Sequence, residues 1–169
     1  MLRATSTIEA EDAATSHRMR GESRFAIRRI LVVCLGNICR SPIAEYVLRK
    51  RLTGRDVVVE SAGLGAVDGA PIDPYALAVL AAHGIDARGH RARLLDKELI
   101  DRADLVLVME TAQLRYLRWQ IPSAAGKTFL LGKWQDGADL IDPFGQSREA
   151  FEDVYRTVEL AAERWCELI

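Results

Sequence analysis

From residue 27 onward, short continuous apolar runs alternate with stretches whose apolar residues recur at helical spacing. Residues 27–34 (IRRILVVC) form a β-branched run suited to a strand buried on both faces. Ser41-Pro42 then reads as an N-cap followed by proline at the first helical position, with Ile43, Ala44, Val47, Leu48 and Leu52 on one stripe. Residues 57–63 (VVVESAG) predict a second strand. Asp73-Pro74 opens a helix with Leu77, Leu80 and Ala81 inward and His83-Gly84 as its C-cap. A short helix over 96–102 leads into a third buried strand, DLVLVM. Thr111 is expected to cap a helix that stops before Pro122, and TFLLG is a fourth strand. The last helix runs from Ser147 to the end, burying Phe151, Tyr155, Val158, Ala162, Trp165 and Ile169.

This order, β-α-β-α-α-β-α-β-α, predicts a single α/β domain over 27–169, a four-stranded parallel twisted sheet with helices on both faces. Residues 1–26 are polar and aperiodic and read as a flexible, disordered tail; Met19 offers an internal start within it. Ligands of such folds bind beyond the carboxyl ends of the strands. Cys34 ends the first strand, so a site is expected there.

Composition narrows the function classes. A net charge of −1 gives no basic field for nucleic acid. No apolar segment reaches the ~20 residues that span a bilayer, and the N-terminus lacks the apolar core of a signal peptide. Three cysteines, odd and sparse, argue against a disulfide framework and for a reducing cytoplasm.

The stretch CLGNICRS, residues 34–41, carries the chemistry. A loop from a strand end into a helix N-terminus gathers backbone N–H groups at one spot, where the helix dipole adds positive potential. Gly36 and Asn37 tolerate positive φ, so Leu35, Gly36, Asn37, Ile38 and Cys39 can curl into an anion-binding nest. Arg40 would clamp two oxygens of a tetrahedral anion with its planar fork. Cys34 would lie at the bottom of that cradle as a thiolate nucleophile for phosphoryl transfer. The Ser41 hydroxyl is placed to donate to the sulfur. The alternative, a packed thiol beside a surface arginine, leaves the Gly-Asn and Ser-Pro context unexplained.

The oxygen of a phosphate ester leaves poorly at neutral pH, since even phenol ionises only near pH 10. A proton donor is therefore needed, and two Asp-Pro pairs compete for the role. Asp73 precedes an uninterrupted helical run and reads as an N-cap. Asp142-Pro143 is followed by Phe144 and Gly145, so Asp142 projects from a stiff loop near strand ends, as a general acid should. An ordinary turn aspartate is the plainer alternative.

CLGNICRSPIAE resembles the phosphate-binding loop of the low-molecular-weight protein tyrosine phosphatases. SAGLGAVDGAPIDPYA, GHRARLL, DLVLVME and IDPFGQS are similar to segments of that family's bacterial branch, so the likeness extends from about Ile30 to the last helix. The branch is associated with capsule and exopolysaccharide production, where it acts on a tyrosine autokinase. The resemblance implies a cysteine-based hydrolase without cofactor or metal, a monomer or weak dimer, with a phosphotyrosine protein as substrate. It assigns the acid to Asp142 and implies that Asn37, Ser61 and His90 form a polar network shaping the loop. Read alone, these three are a turn residue, a strand-end serine and a loop histidine. It also implies an aromatic wall at Phe144, with Leu35 and Val67 opposite. Cys39 stays open between a buried companion thiol and, as the resemblance implies, a reversible disulfide partner for Cys34. No neighbouring ligands support a metal site at Cys39. His83 reads as a helix-end cap and Cys166 as a packed thiol.

Three rival functions are weighed. Arsenate reductases on this fold relay a disulfide through further cysteines, and none lies between Cys39 and Cys166. Protein-arginine phosphatases carry threonine after the nucleophile, where this chain has Leu35. A phosphate-binding adaptor would be expected to lose the nucleophile or the acid, and both are present.

Overall fold

The computed structural model describes residues 26–169. The expected flexible tail therefore lies outside the described residues, apart from Ala26. The elements are β1 (Arg29–Cys34), α1 (Arg40–Arg51), β2 (Val58–Gly63), α2 (Pro74–Ala82), α3 (Lys97–Arg102), β3 (Leu105–Val108), α4 (Thr111–Gln120), β4 (Thr128–Leu130) and α5 (Arg148–Leu168), with 3-10 turns at Pro122–Ala124 and Leu131–Trp134. The four strands form one parallel sheet in the order β2-β1-β3-β4.

Alternation along β1 divides the core between the two faces. Ile30, Val32 and Cys34 face a cluster built from α1, α2 and α5, whereas Leu31 and Val33 join Leu99, Ile100 and Leu117 from α3 and α4. A continuous apolar run is what a strand covered on both sides requires. Phe151, Tyr155, Val158, Ala162 and Trp165 of α5 are buried as expected, with Ile169 half-buried. Cys166 is buried in the same helix.

Helix ends follow local chemistry, with corrections. Asp73 caps α2, its carboxylate accepting the Tyr75 N–H at 2.8 Å. His83 closes that helix with its ring stacked on Tyr155, and Gly84 follows at φ 71°. Of the three residues expected inward on α2, Leu80 is buried and Leu77 half-buried, but Ala81 is exposed; Ala76 and Val79 fill the interface instead. Helix α4 starts at Thr111 with Glu110 as its N-cap, so Thr111 is not the cap. Its hydroxyl bonds Asp139 instead. Ser147 holds the N-cap position of α5 without a side-chain hydrogen bond to the helix.

The sheet order places β1 between β2 and β3, so the chain leaves β1 toward one side and β3 begins the other half. That switch opens a crevice past the carboxyl ends of β1 and β3. Cys34 and Glu110 therefore approach from neighbouring strands, far apart in sequence.

Candidate active site

The loop after β1, residues 35–39, is held by its carbonyls. Cys34 O accepts from Leu64 N, Leu35 O from Gly65 N, Ile38 O from Asp73 N and Cys39 O from Ile43 N, while Asn37 O meets His90 Nε2 at 2.8 Å. A planar trans peptide sets each N–H opposite the preceding C=O. Carbonyls anchored outward thus turn the following N–H groups inward. Those of Leu35, Gly36, Ile38 and Cys39 donate to no protein acceptor among the described residues. Arg40, the first residue of α1, has no intrahelical acceptor for its own N–H. Asn37 supplies the one left-handed residue of the turn, at φ 55°. Gly36, though tolerant of positive φ, does not adopt it, and a Cβ there would meet only Ile38 Cγ1 at 3.6 Å.

Cys34 Sγ sits on the floor of this ring, 3.2 Å from the Asn37 N–H nitrogen and 3.0 Å from Ser41 Oγ. Asn37 Nδ2 donates both to Ser41 Oγ at 2.9 Å and to Ser61 Oγ at 2.8 Å. The Ser41 hydroxyl can turn its hydrogen to the sulfur, the direction that a Cys34 thiolate requires. The expected N-cap role of Ser41 is thereby corrected. Helix α1 begins two residues earlier, at Arg40 with Cys39 at the cap, and the Ser41 side chain is committed to Cys34.

Behind the loop, Ser61 Oγ donates to Glu45 Oε2, and Arg49 pairs with Glu45 Oε1 at 2.6 Å. His90 Nδ1 lies 3.9 Å from Glu45 Oε2. Asn37 Oδ1 accepts the Arg93 backbone N–H at 2.9 Å. Asn37, Ser61 and His90 therefore do meet in one network, and Glu45 is the member that sequence reasoning missed. Its signal was a glutamate four residues after Ser41, on the buried side of α1.

Arg40 is only 2% exposed, unusual for arginine, and its burial is compensated on three sides. Nη1 donates to Glu110 Oε1 and to the Leu140 carbonyl, and Nη2 donates to Asp142 Oδ2 at 2.8 Å. Glu110 was also missed, although a glutamate directly after a buried strand marks the ligand-binding end of the sheet. Asp142 Oδ1 accepts the Phe144 N–H at 3.2 Å, Gln146 Nε2 donates to the Asp142 carbonyl at 2.7 Å, and Gly145 turns the chain at φ 74°.

One open cleft gathers the pieces. Cys34 and Arg40 lie at its base, Asp142 at its side, and Leu35, Val67 and Phe144 form apolar walls. Gly36, Ile38 and Cys39 line it as well. Cys39 is buried, and its thiol is pushed well above the ordinary range, first by burial and then by the carboxylates of Asp73 and Asp142. All three cysteines are free thiols. Among the described residues no group of three or more His, Cys, Asp or Glu is arranged to hold a metal ion, and no helix is long and apolar enough to cross a membrane.

Comparison with known proteins agrees with this geometry. The family model for low molecular weight phosphotyrosine protein phosphatase matches residues 29–169. A probable low molecular weight protein-tyrosine-phosphatase, EpsP of Ralstonia solanacearum, is 46% identical over 139 residues, covering 82% of this chain and 94% of the relative. The structure of Vibrio vulnificus Wzb in complex with benzylphosphonate superposes with a TM-score of 0.81 at 38% identity, covering 85% of this chain and 100% of that one. The YwlE arginine phosphatase from Geobacillus stearothermophilus gives a TM-score of 0.78 at 37% identity, covering 83% and 91%. With one family model spanning both Cys34 and Asp142, and close relatives matched over nearly their full length, the chain belongs to the low molecular weight phosphotyrosine protein phosphatase family.

Proposed function

We propose that the chain is a protein-tyrosine phosphatase that hydrolyses phosphotyrosine monoesters through a phosphocysteine on Cys34. The observation that carries this reading is the ring of inward N–H groups centred on a cysteine sulfur, with Arg40 at its edge. Such a ring favours a phosphate and a thiolate alike, and so brings nucleophile and electrophile to one point.

In the first step the Cys34 thiolate attacks phosphorus and the P–O bond to tyrosine breaks. The Asp142 carboxyl passes its proton to the departing phenolate oxygen. The loop N–H groups and the Arg40 guanidinium hold the equatorial oxygens. In the second step Asp142, now ionised, takes a proton from water as that water attacks the phosphocysteine. The S–P bond breaks, inorganic phosphate leaves, and Ser41 donates to the returning thiolate. No cofactor enters either step. Asn37, Ser61 and His90 keep the loop in shape, and Phe144 packs on the substrate ring.

The physiological role we assign is that of the bacterial branch the chain resembles: countering a tyrosine autokinase in exopolysaccharide or capsule production, in the cytoplasm, as a monomer or weak dimer. Similarity to an arginine phosphatase structure favours phosphoarginine as a second substrate class, and Leu35 beside the nucleophile weighs against it. Cys34→Ser tests the proposal. The variant should fold, lose p-nitrophenyl phosphate hydrolysis, and retain tyrosine-phosphorylated proteins from the native cell. Retained turnover would overturn the nucleophile assignment, and capture of phosphoarginine proteins alone would overturn the substrate class.

A further inference from the structure

Around the mouth of the cleft the charge is one-sided. The segments that frame it, residues 35–39, 64–73 and 139–146, contain Asp68, Asp73, Asp139 and Asp142 but no lysine, arginine or histidine. Among the residues lining the cleft, Arg40 is the single cation, and it is buried at the base against Glu110 and Asp142. Asp68, Asp73 and Asp139 accept backbone N–H groups and have no ion-pair partner among the described residues. The Asp73 N–H donates to the Ile38 carbonyl at 2.9 Å and Asp142 pairs with Arg40 at 2.8 Å, which places both residues at the loop itself.

The same rim exposes apolar side chains that nothing among the described residues covers. Leu35, Val67, Ile141 and Phe144 are 56%, 74%, 76% and 64% exposed, three of them lining the cleft and Ile141 preceding Asp142. An apolar patch continuous with a binding cleft marks where a ligand extends beyond the group held in the cleft.

We propose that this rim is the surface on which the substrate chain docks, and that it selects phosphotyrosines whose neighbours are apolar and basic while rejecting acidic neighbours. The occupant is the peptide segment carrying the phosphotyrosine. The phosphotyrosine ring takes the cleft-side faces of Leu35, Val67 and Phe144, apolar side chains next to it cover Ile141 and the outer faces of those three, and basic ones answer the aspartates. Arg91, bridged to Pro71 from outside these segments, turns its guanidinium to the Arg88 and His90 carbonyls, so an acidic neighbour meets carboxylates with no cation on the framing segments to offset them. The proposal rests on the phosphotyrosine phosphatase reading above.

The test compares three phosphotyrosine peptides, identical except for leucine, lysine or glutamate at the two positions on each side of the phosphotyrosine, with p-nitrophenyl phosphate as a substrate without flanks. The glutamate peptide should show kcat/KM about tenfold or more below the other two, and the gap should narrow as salt rises. Ile141→Arg, a change at an exposed position, should close the gap between glutamate and lysine peptides by about threefold or more. Rates within about twofold for all three peptides, a preference for glutamate, or an unchanged ratio in Ile141→Arg would overturn the proposal. Failure to hydrolyse p-nitrophenyl phosphate would instead overturn the underlying phosphatase reading, so the two failures are distinguishable.

Discussion

Arg40 Nη2 donates to Asp142 Oδ2 at 2.8 Å, joining the end of the phosphate loop to a carboxylate 102 residues away. In the proposed reaction a phosphate entering the loop competes for that guanidinium and releases the carboxyl for the leaving group. In the proposed reaction, Asp142→Ala should therefore cost most where the leaving group is poor. Turnover of phenyl phosphate should fall about 100-fold or more, the usual weight of a general acid. Turnover of p-nitrophenyl phosphate, whose leaving group needs no proton, should fall far less. Equal losses on both substrates in steady-state kinetics would remove Asp142 as the acid.

Ser41 makes a different contribution. Its Oγ lies 3.0 Å from Cys34 Sγ and accepts from Asn37 Nδ2 at 2.9 Å. Ser41→Ala removes one hydrogen bond to the sulfur that, in the proposed second step, leaves as thiolate. Such a bond to a charged group is worth about 1.5–3 kcal/mol, so phosphocysteine breakdown should slow by roughly tenfold or more. Rapid-quench kinetics should show a burst of tyrosine followed by a slower steady state. Loss of the first step alone would contradict the leaving-group role.

Gly63 tests how tightly the loop is braced from below. A Cβ there would lie 2.6 Å from Leu35 O and 2.9 Å from Asn37 N, both backbone atoms of the loop. Gly63→Ala should destabilise the protein by about 1–3 kcal/mol, as overpacking does, and should lower kcat by displacing the N–H ring. Gly36→Ala, which meets only Ile38 Cγ1 at 3.6 Å, should unfold close to the parent. Thermal or urea denaturation of the pair settles the comparison, and equal stabilities would contradict it.

Alkaline pH should weaken the fold through two buried acids. The Cys39 thiol is raised above its ordinary value of 9.0, chiefly by burial. The Tyr155 hydroxyl is raised above 10.0, by burial and by donating to Glu159. Both groups ionise more readily in the unfolded chain, so the stability they contribute is complete below about pH 9 and is lost as pH rises above it. Unfolding free energy measured from pH 7 to pH 11 should decline less steeply in Cys39→Ala and in Tyr155→Phe. Parallel slopes for parent and variants would contradict the shift.

Much of this molecule was legible in its sequence. Strand and helix order followed from apolar periodicity, because a strand covered on both faces and a helix covered on one leave different patterns. The Cys34-to-Ser41 stretch was legible because a phosphate loop is local: strand end, tight turn and helix start are contiguous in the chain. Asp142 was legible through its proline, which stiffens a short segment. Helix starts were less so. Ser41 and Thr111 are good capping residues by type, yet Cys34, as expected, engaged the first hydroxyl and Asp139, brought up by the fold, took the second, while Cys39 and Glu110 took the cap positions. Ala81 was placed inward by spacing, but α2 turns a face centred on Ala76, Val79 and Leu80 to the core.

What only tertiary structure decided was how charge and polarity are compensated around the site. Burying Arg40 demands partners, and these come from the end of β3 and from the Asp142 loop, which sequence spacing does not bring together. Glu45 likewise joins Ser61 and approaches His90 only once α1, β2 and the loop around residue 90 converge. A side chain's local preference is a property of its neighbours in sequence. Its hydrogen-bond partner in a dry interior is a property of whatever the fold packs against it.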